Sequence, residues 1–164
     1  MGTLMLLFIG FGYAKPVPVN PHNLQNPRYD MIKVAAAGPL SNILLAFIGI
    51  FTIYTVFNVN PAFLNLTLRR FLKIFIQINI YLAIFNLIPM YPLDGGQIFG
   101  NILSEKYPSF TYKLQAYGPR VLMGLILIGL ISGFSIIGLI LQPLYGVVYS
   151  LLELIVNLFY SIFI

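Results

Sequence analysis

The sequence predicts an all-α protein, a polytopic membrane helix bundle with about four complete spans. Of its 164 residues, 59% are hydrophobic and only 8% are charged, and the mean hydropathy is +0.91. A soluble domain carries about 25% charged residues. The apolar residues also occur in runs of about 20, the length of helix that crosses a bilayer. We therefore expect a single membrane-embedded domain over residues 1–164.

Charge and cysteine content exclude several classes of protein. The net charge of +5 falls in short loops, which indicates membrane topology and contact with lipid headgroups rather than nucleic-acid binding. The chain has no cysteine, which excludes disulfides and thiolate metal sites. Membrane lipid is therefore an expected partner, and nucleic acid is not.

The N-terminal part of the chain does not contain a complete predicted span. Met1–Tyr13 is apolar but shorter than the roughly 20 residues of a span, so it is either the end of a helix or an interfacial helix. Residues 14–29 contain four prolines and are predicted to form an extended linker. His22 lies in this linker and is the only histidine. Because zinc-binding histidines occur in sets, we expect His22 to face solvent.

Four longer segments are predicted to cross the membrane: residues 30–57, 71–88, 121–141 and 144–164. Gln142-Pro143 is expected to form a tight hairpin between the last two, and the polar stretch 104–118 is expected to connect the earlier helices to them. Pro39 should kink the first span or start its main part. Glu153, inside the last span, should pair with a basic side chain or lie protonated against another helix.

Residues 86–96 combine a helix end, two prolines and a carboxylate. Their sequence is Asn-Leu-Ile-Pro-Met-Tyr-Pro-Leu-Asp-Gly-Gly. Pro89 and Pro92 should end the second span and give a proline-broken helix. Asp94, one of only four acidic residues, is placed to cap a short helix that ends at Leu103. A charged group beside a membrane span is costly and indicates a functional site.

The residue types in this stretch leave two interpretations open. In the first, Asp94 binds a catalytic zinc, which takes three protein ligands and a water. Asn86 would then hold a substrate carbonyl, and Pro89–Leu93 would pair with an extended peptide. In the second, the stretch is a proline-broken helix in which Asp94 is an ordinary N-cap. By residue type alone, the second interpretation is favoured.

Three motifs, in order along the chain, resemble the site-2 protease family. Its members are intramembrane zinc metalloproteases that cut peptide bonds within or beside membrane spans. Asn86-x-x-Pro89-x-x-Pro92-x-Asp94-Gly95 is similar to the family's Asn-Pro-Asp-Gly region, a match expected by chance on the order of once in 10⁴ chains of this length. Residues 37–42, Ala-Gly-Pro-Leu-Ser-Asn, are similar to the start of a family helix. Residues 10–21 resemble the linker of its compact bacterial and archaeal branch.

The resemblance implies a role for each matching residue. It makes Asp94 the third zinc ligand, and Asn86 a residue that assists substrate or transition-state binding. It also implies four substrate-binding residues in the wall of the site: Pro89, Pro92, Leu93 and Gly95. The implied substrate is a membrane-spanning peptide or protein, and the implied location is a prokaryotic cell membrane.

The sequence departs from the family pattern at the remaining ligands. In the family, a His-Glu-x-x-His helix supplies two histidine ligands and the general base. This motif does not occur in the 164 residues, where His22 is the only histidine. We therefore expect an N-terminally incomplete chain, through an internal start, a split gene or truncation. Such a chain would not bind Zn²⁺ by itself and would be inactive alone, and a separate N-terminal fragment would be its partner.

Two other functions stay open at the sequence level. A non-catalytic pseudoprotease would keep the groove and bind membrane spans without cutting them. A transporter subunit would also account for a broken helix and an intramembrane carboxylate, but it would leave the three ordered motifs unexplained. Zinc content and client crosslinking separate the protease from the pseudoprotease, and flux through proteoliposomes tests the transporter.

Overall fold

The computed structural model describes residues 25–61, 65–133 and 135–163. These residues form the helices α1 (Pro27–Val59), α2 (Leu66–Asn86), α3 (Asp94–Leu103), α4 (Pro108–Ser132) and α5 (Ile136–Phe163). No strand occurs within the described ranges, and the predicted all-α class is confirmed. The predictions for Met1–Tyr13, for His22 and for most of the linker lie outside the described residues.

Three of these helices, α1, α4 and α5, are long and apolar enough to cross a membrane. The helix α2 has 21 residues, which also covers about 30 Å. However, Arg69, Arg70 and Lys73 lie in its first turns, and only the part after Lys73 is free of charge. The predicted number of about four spans is consistent with three candidate spans and α2. The chain is an integral membrane protein.

Proline starts two helices and lies inside α1. Pro27 and Pro108 each occupy the first turn of a helix, where the missing N–H has no intrahelical partner to lose. The polar stretch 104–118, expected as a connection, is therefore helical from Pro108 onward. Pro39 is buried within α1, which continues to Val59. The helix thus begins well before Pro39, and Pro39 does not start it.

The turn between the last two helices lies earlier than predicted. Gly133 ends α4 with a φ of 69°, the left-handed conformation that favours glycine. Ser135 then caps α5, because its Oγ accepts a hydrogen bond from the Gly138 N–H at 3.0 Å. Pro143 lies inside α5, as membrane helices tolerate. The predicted hairpin at Gln142-Pro143 is wrong, because the glycine and serine signals determine the turn.

The helices α1, α2 and α5 pack around one apolar core. Its buried residues are Ala46, Ile50, Ile76, Ile80, Ile84, Leu152 and Val156. Those of α2 recur every four residues and so lie on one face of that helix. Asn79 lies on the same face and is buried, as predicted. Its side-chain amide donates to the Phe75 carbonyl at 2.8 Å, so this polar group is satisfied within its own helix.

Two side-chain hydrogen bonds join α1 to α5. The Tyr54 hydroxyl donates to Glu153 Oε1 at 3.1 Å, and the Tyr160 hydroxyl donates to Thr55 Oγ1 at 2.5 Å. Glu153 therefore packs against another helix and accepts from a phenol, while its protonated form stays a prediction. Such bonds between membrane helices contribute about 0.6 kcal/mol on average. These hydrogen bonds determine which faces of α1 and α5 meet, and they contribute little to the stability of the bundle.

Arg28, at the start of α1, holds the end of α3. Its Nε donates to the Asn101 carbonyl at 2.7 Å, and its Nη2 donates to the Ile102 carbonyl at 2.9 Å. Arg28 also forms an ion pair with Glu105. Carbonyls in the last turn of a helix lack intrahelical partners and carry the negative end of its dipole. This contact fixes the short helix α3 against α1.

Candidate metal-binding site

The predicted site stretch folds as a tight loop between α2 and α3. The helix α2 ends at Asn86, and turns over residues 87–93 lead to Asp94. Within the loop, the Met90 N–H donates to the Ile88 carbonyl at 2.7 Å, and the Leu93 N–H donates to the Met90 carbonyl at 3.0 Å. The peptide bond before Pro92 is cis. The helix is therefore broken in the stretch that contains the two prolines.

Asp94 is the first residue of α3, and its carboxylate has no partner among the described residues. Leu93 occupies the N-cap position without a side-chain hydrogen bond, so the prediction that Asp94 caps the helix is wrong. The Asp94 side chain is half-buried and makes no hydrogen bond or ion pair with another described residue. Burial raises the pKa of this carboxyl, because leaving water disfavours the charged form. A half-buried carboxylate without a partner is a suitable ligand for a cation.

The Asp94 carboxylate lies against Gly38 of α1. A Cβ atom added at Gly38 would stand 3.0 Å from Asp94 Oδ2 and 4.0 Å from Asp94 Cγ. Glycine at this position therefore leaves room for the carboxylate. Ala37-Gly38-Pro39 belongs to the motif at residues 37–42, and Asp94 belongs to the motif at residues 86–95. The fold thus brings together two motifs that are distant in the sequence.

Gly95 and Gly96 let the loop pack directly on the first turn of α3. A Cβ atom at Gly95 would overlap the carbonyl oxygen of Leu87. A Cβ atom at Gly96 would lie 2.6 Å from the carbonyl carbon of Met90. Both positions are occupied by backbone, which cannot rotate away as a side chain can. The Asp-Gly-Gly sequence is therefore needed for the close approach of loop and helix.

Asn86 lies at the end of α2 next to the start of α3. Its side chain is half-buried and, among the described residues, has no hydrogen-bond partner. Leu87, which follows Asn86, contacts Gly95, which follows Asp94. The two predicted functional side chains therefore lie at adjacent helix ends. Both carry polar groups that remain available to a ligand.

Tyr91 fixes the loop to both neighbouring helices, a role that the sequence pattern did not indicate. Its hydroxyl accepts a hydrogen bond from Gln115 Nε2 of α4 at 3.1 Å, and its ring lies against Gly100 of α3. A Cβ atom at Gly118 of α4 would be 3.0 Å from the Tyr91 backbone. The sequence signal for this packing is the pair of glycines, Gly100 and Gly118. Each is buried within its helix and leaves room for Tyr91.

The predicted substrate-binding residues differ in burial. Pro89 and Pro92 are exposed, whereas Leu93 and Gly95 are buried. Pro89 also lines an apolar cavity of about 410 Å³ between the end of α2, the loop and α5. Only the two prolines can therefore contact a ligand through their side chains in this arrangement, while Leu93 and Gly95 shape the loop.

The described residues supply one candidate zinc ligand rather than a complete set. A catalytic zinc requires three protein ligands. Within residues 25–61, 65–133 and 135–163, no three side chains of His, Cys, Asp or Glu are close enough to hold a metal ion. The unpaired carboxylate of Asp94 fits one ligand position. The donor set as a whole does not fit a catalytic zinc without further ligands.

The fold and the loop define a helical membrane protein with a carboxylate at a broken helix. Comparison with known proteins shows which family it resembles. Residues 49–129 match the family model "Peptidase family M50". The chain is 37% identical over 120 residues to "Putative zinc metalloprotease YwhC" of Bacillus subtilis (strain 168), covering 71% of this chain and 55% of that protein. No solved structure matches the chain.

Two archaeal proteins of Methanocaldococcus jannaschii are also similar. "Zinc metalloprotease MJ0392" is 30% identical over 112 residues, which cover 65% of this chain and 30% of that protein. "Putative zinc metalloprotease MJ0611" is 31% identical over 99 residues, which cover 60% of this chain and 48% of that protein. The chain thus spans about half, or less, of the length of these relatives. Residues 49–129 thus match peptidase family M50, the site-2 protease family, and the chain is homologous to these metalloproteases, whose names give zinc as the metal.

The packing of the loop on α3 predicts a large effect of alanine at Gly95. We expect Gly95→Ala to lower the free energy of unfolding by about 1–3 kcal/mol or more, because the new Cβ displaces backbone. Gly124→Ala in α4 is the matched control. No atom of the described residues lies within 4 Å of a Cβ at Gly124, so stability should be unchanged or raised by up to about 1 kcal/mol. Unfolding by SDS in mixed micelles measures both, and equal effects would contradict the packing.

The raised pKa of Asp94 predicts that its charge opposes folding when no metal is bound. Between the unfolded and the folded pKa, the folded chain binds more protons, so the free energy of unfolding falls as the pH rises. We expect Asp94→Asn to stabilise the metal-free chain at neutral pH. This gain should vanish below the unfolded pKa of about 3.9. Unfolding measured across a pH series gives both results.

Asp30→Asn is the matched control for this pH series. The Asp30 carboxylate accepts hydrogen bonds from the Asn26 N–H at 3.0 Å and from Lys33 Nζ at 2.9 Å. Loss of its charge should therefore destabilise the chain slightly at neutral pH. If Asp94→Asn instead destabilises the metal-free chain at neutral pH, Asp94 has a stabilising partner and is not an unpaired carboxylate.

Proposed function

We propose that this chain forms the carboxylate part of an intramembrane zinc endopeptidase that hydrolyses peptide bonds in or beside membrane spans. The observation that carries the proposal is the Asp94 carboxylate at the start of α3. It lies against Gly38 of α1 and has no partner among the described residues. The match to peptidase family M50 supports the reaction class, and the names of the relatives support zinc as the metal.

Asp94 acts as one zinc ligand in this proposal, and Asn86 binds the substrate. Zinc, when bound, would act as a Lewis acid on the peptide carbonyl. Asn86 has a side-chain amide without a partner in the described part of the chain, and its N–H groups can donate to that carbonyl or to the charge that develops on it. Gly95 and Gly96 let the two helix ends approach, and in this proposal both side chains face one reaction centre.

A membrane-spanning peptide is the substrate that the surroundings of the loop favour. Pro89 and Pro92 are exposed on the loop, and an apolar cavity lies beside Pro89. A peptide bond becomes accessible to hydrolysis when the segment around it is extended rather than helical, and an irregular loop edge pairs with an extended peptide through backbone hydrogen bonds. Leu93 and Gly95, which are buried, keep this edge in position.

The remaining ligands and the general base come, in this proposal, from another segment of polypeptide. The 164-residue sequence contains one histidine and no His-Glu-x-x-His motif. The α1 surface beside Asp94 includes Ala37, Gly38 and Ser41, which are small and exposed. Small residues let a second membrane helix approach closely. A helix that carries the two histidines and the glutamate would therefore fit there, and this chain without it would not cleave substrate.

The test is to reconstitute the chain with a separately expressed membrane segment that carries His-Glu-x-x-His. We expect about one zinc per complex, measured by metal analysis, and cleavage of a membrane-spanning reporter peptide. Asp94→Asn should abolish both, whereas Asp30→Asn, at an acidic residue bonded to Asn26 and Lys33, should retain both.

Three outcomes would change the proposal. Zinc binding and cleavage that survive Asp94→Asn would exclude Asp94 as a ligand. Stoichiometric zinc in the chain alone, lost in Asp94→Asn, would show that no second segment is needed. A complex that crosslinks the reporter near Asn86 without zinc and without cleavage would show a non-catalytic binding protein.

A further inference from the structure

A second polar site lies between α2 and α5, far from Asp94 along the bundle. A cavity of about 340 Å³ is lined by Lys73 and Gln77 of α2, by Tyr145 and Tyr149 of α5, and by two isoleucines. Lys73 is 13 residues before the end of α2, or roughly 20 Å along the helix. The cavity therefore lies toward the end of α2 that is opposite to the loop at residues 87–93.

Polar residues at intervals of four on each helix form this site. The two rows are Lys73, Gln77 and Tyr81 on α2, and Tyr145, Tyr149 and Glu153 on α5. Residues four apart lie on one helix face. The rings of Tyr81 and Tyr145 stack with centroids 4.9 Å apart, and those of Tyr145 and Tyr149 are 5.9 Å apart. The stacked rings place the two rows side by side, with the cavity between them.

The polar groups of the cavity have no partners in the described part of the chain. Lys73, Gln77, Tyr145 and Tyr149 make no side-chain hydrogen bond or ion pair with another described residue. The acidic residue of the rows, Glu153, accepts a hydrogen bond from Tyr54 and forms no ion pair with Lys73. Four side chains thus present an ammonium, an amide and two phenols to one space.

Charge and donor chemistry determine the class of ligand. The ammonium, the amide NH₂ and the two hydroxyls are all hydrogen-bond donors. An anion with several acceptor oxygens satisfies these groups together, and a phosphate group has this chemistry.

The apolar surface beside the cavity indicates that the phosphate belongs to a lipid. Ile74 and Ile78 of α2 follow Lys73 and Gln77 in the sequence, and each is more than half exposed. They form an apolar strip beside the polar row of α2. Acyl chains can cover these side chains while the headgroup enters the cavity, whereas a free phosphate would use only the polar part.

We propose that the cavity between α2 and α5 binds the phosphate group of an anionic phospholipid. Lys73 provides the charge, and Gln77, Tyr145 and Tyr149 donate hydrogen bonds to the phosphate oxygens. Bound there, the lipid bridges α2 and α5 and fixes their spacing. This site is independent of the zinc chemistry at Asp94.

The test is a titration of the delipidated 164-residue chain with phosphatidylglycerol, followed by native mass spectrometry. We expect saturable binding of one lipid, which Lys73→Gln weakens by about tenfold or more. Arg69→Gln removes another exposed positive charge, one turn earlier on α2. It should change the affinity by less than about threefold. Tyr149→Phe should also weaken binding, whereas Tyr112→Phe on the exposed surface of α4 should not.

Lys73→Arg keeps the charge and should retain binding, which separates loss of the site from loss of the fold. Three results would overturn the proposal. Lys73→Gln and Arg69→Gln could weaken binding equally, which would show diffuse attraction to charge. Phosphatidylcholine could bind as tightly as phosphatidylglycerol, which would show no selection for an anionic lipid. Inorganic phosphate could bind as tightly as the lipid, which would make free phosphate the ligand.

Discussion

The backbone contact between the loop 87–93 and the first turn of α3 is the constraint on which the candidate site depends. Gly95 and Gly96 permit it, because any side chain at either position would meet loop backbone. The contact brings the end of α2 to the start of α3. Arg28 holds the other end of α3 against α1. The short helix is therefore fixed at both ends, and Asp94 is held against Gly38.

Stability and chemistry are separated in this fold. The apolar core of α1, α2 and α5 stabilises the bundle, and its buried amide, Asn79, is satisfied within its own helix. The polar groups of Asn86 and Asp94 lie at the edge, where α2 and α3 meet, and have no partners among the described residues. Such groups cost stability and are retained where a ligand or a metal uses them.

Much of this arrangement was predictable from local sequence, and the errors have physical causes. Composition predicts the helical membrane class, and the two prolines predict the break before Asp94. The sequence does not predict the contact of Asp94 with Gly38, because that contact depends on how α1 and α3 pack. Gln142-Pro143 predicts a turn that the structure instead has at Gly133, because a membrane helix tolerates an internal proline.

Two further features of the structure have a signal in the sequence. The glycines at 100 and 118 are buried against Tyr91, and their positions in otherwise bulky helices could have indicated a large side chain between α3 and α4. The polar residues at intervals of four from Lys73 and from Tyr145 could have indicated two polar helix faces. Only the structure shows that these two faces meet, because helix pairing is not encoded in the spacing itself.

The absence of cysteine from the chain allows the central contact to be measured directly. The double variant Gly38→Cys, Asp94→Cys places a sulfur near the position of Asp94 Cγ, 4.0 Å from a Cβ at residue 38, so that a small side-chain rotation brings the two sulfurs to bonding distance. We expect rapid disulfide formation in membranes under a mild oxidant, and none in the control pair Gly38→Cys, Gly124→Cys. If the 38–94 pair forms a disulfide no faster than the control, Asp94 does not lie against α1 and the proposed site is wrong.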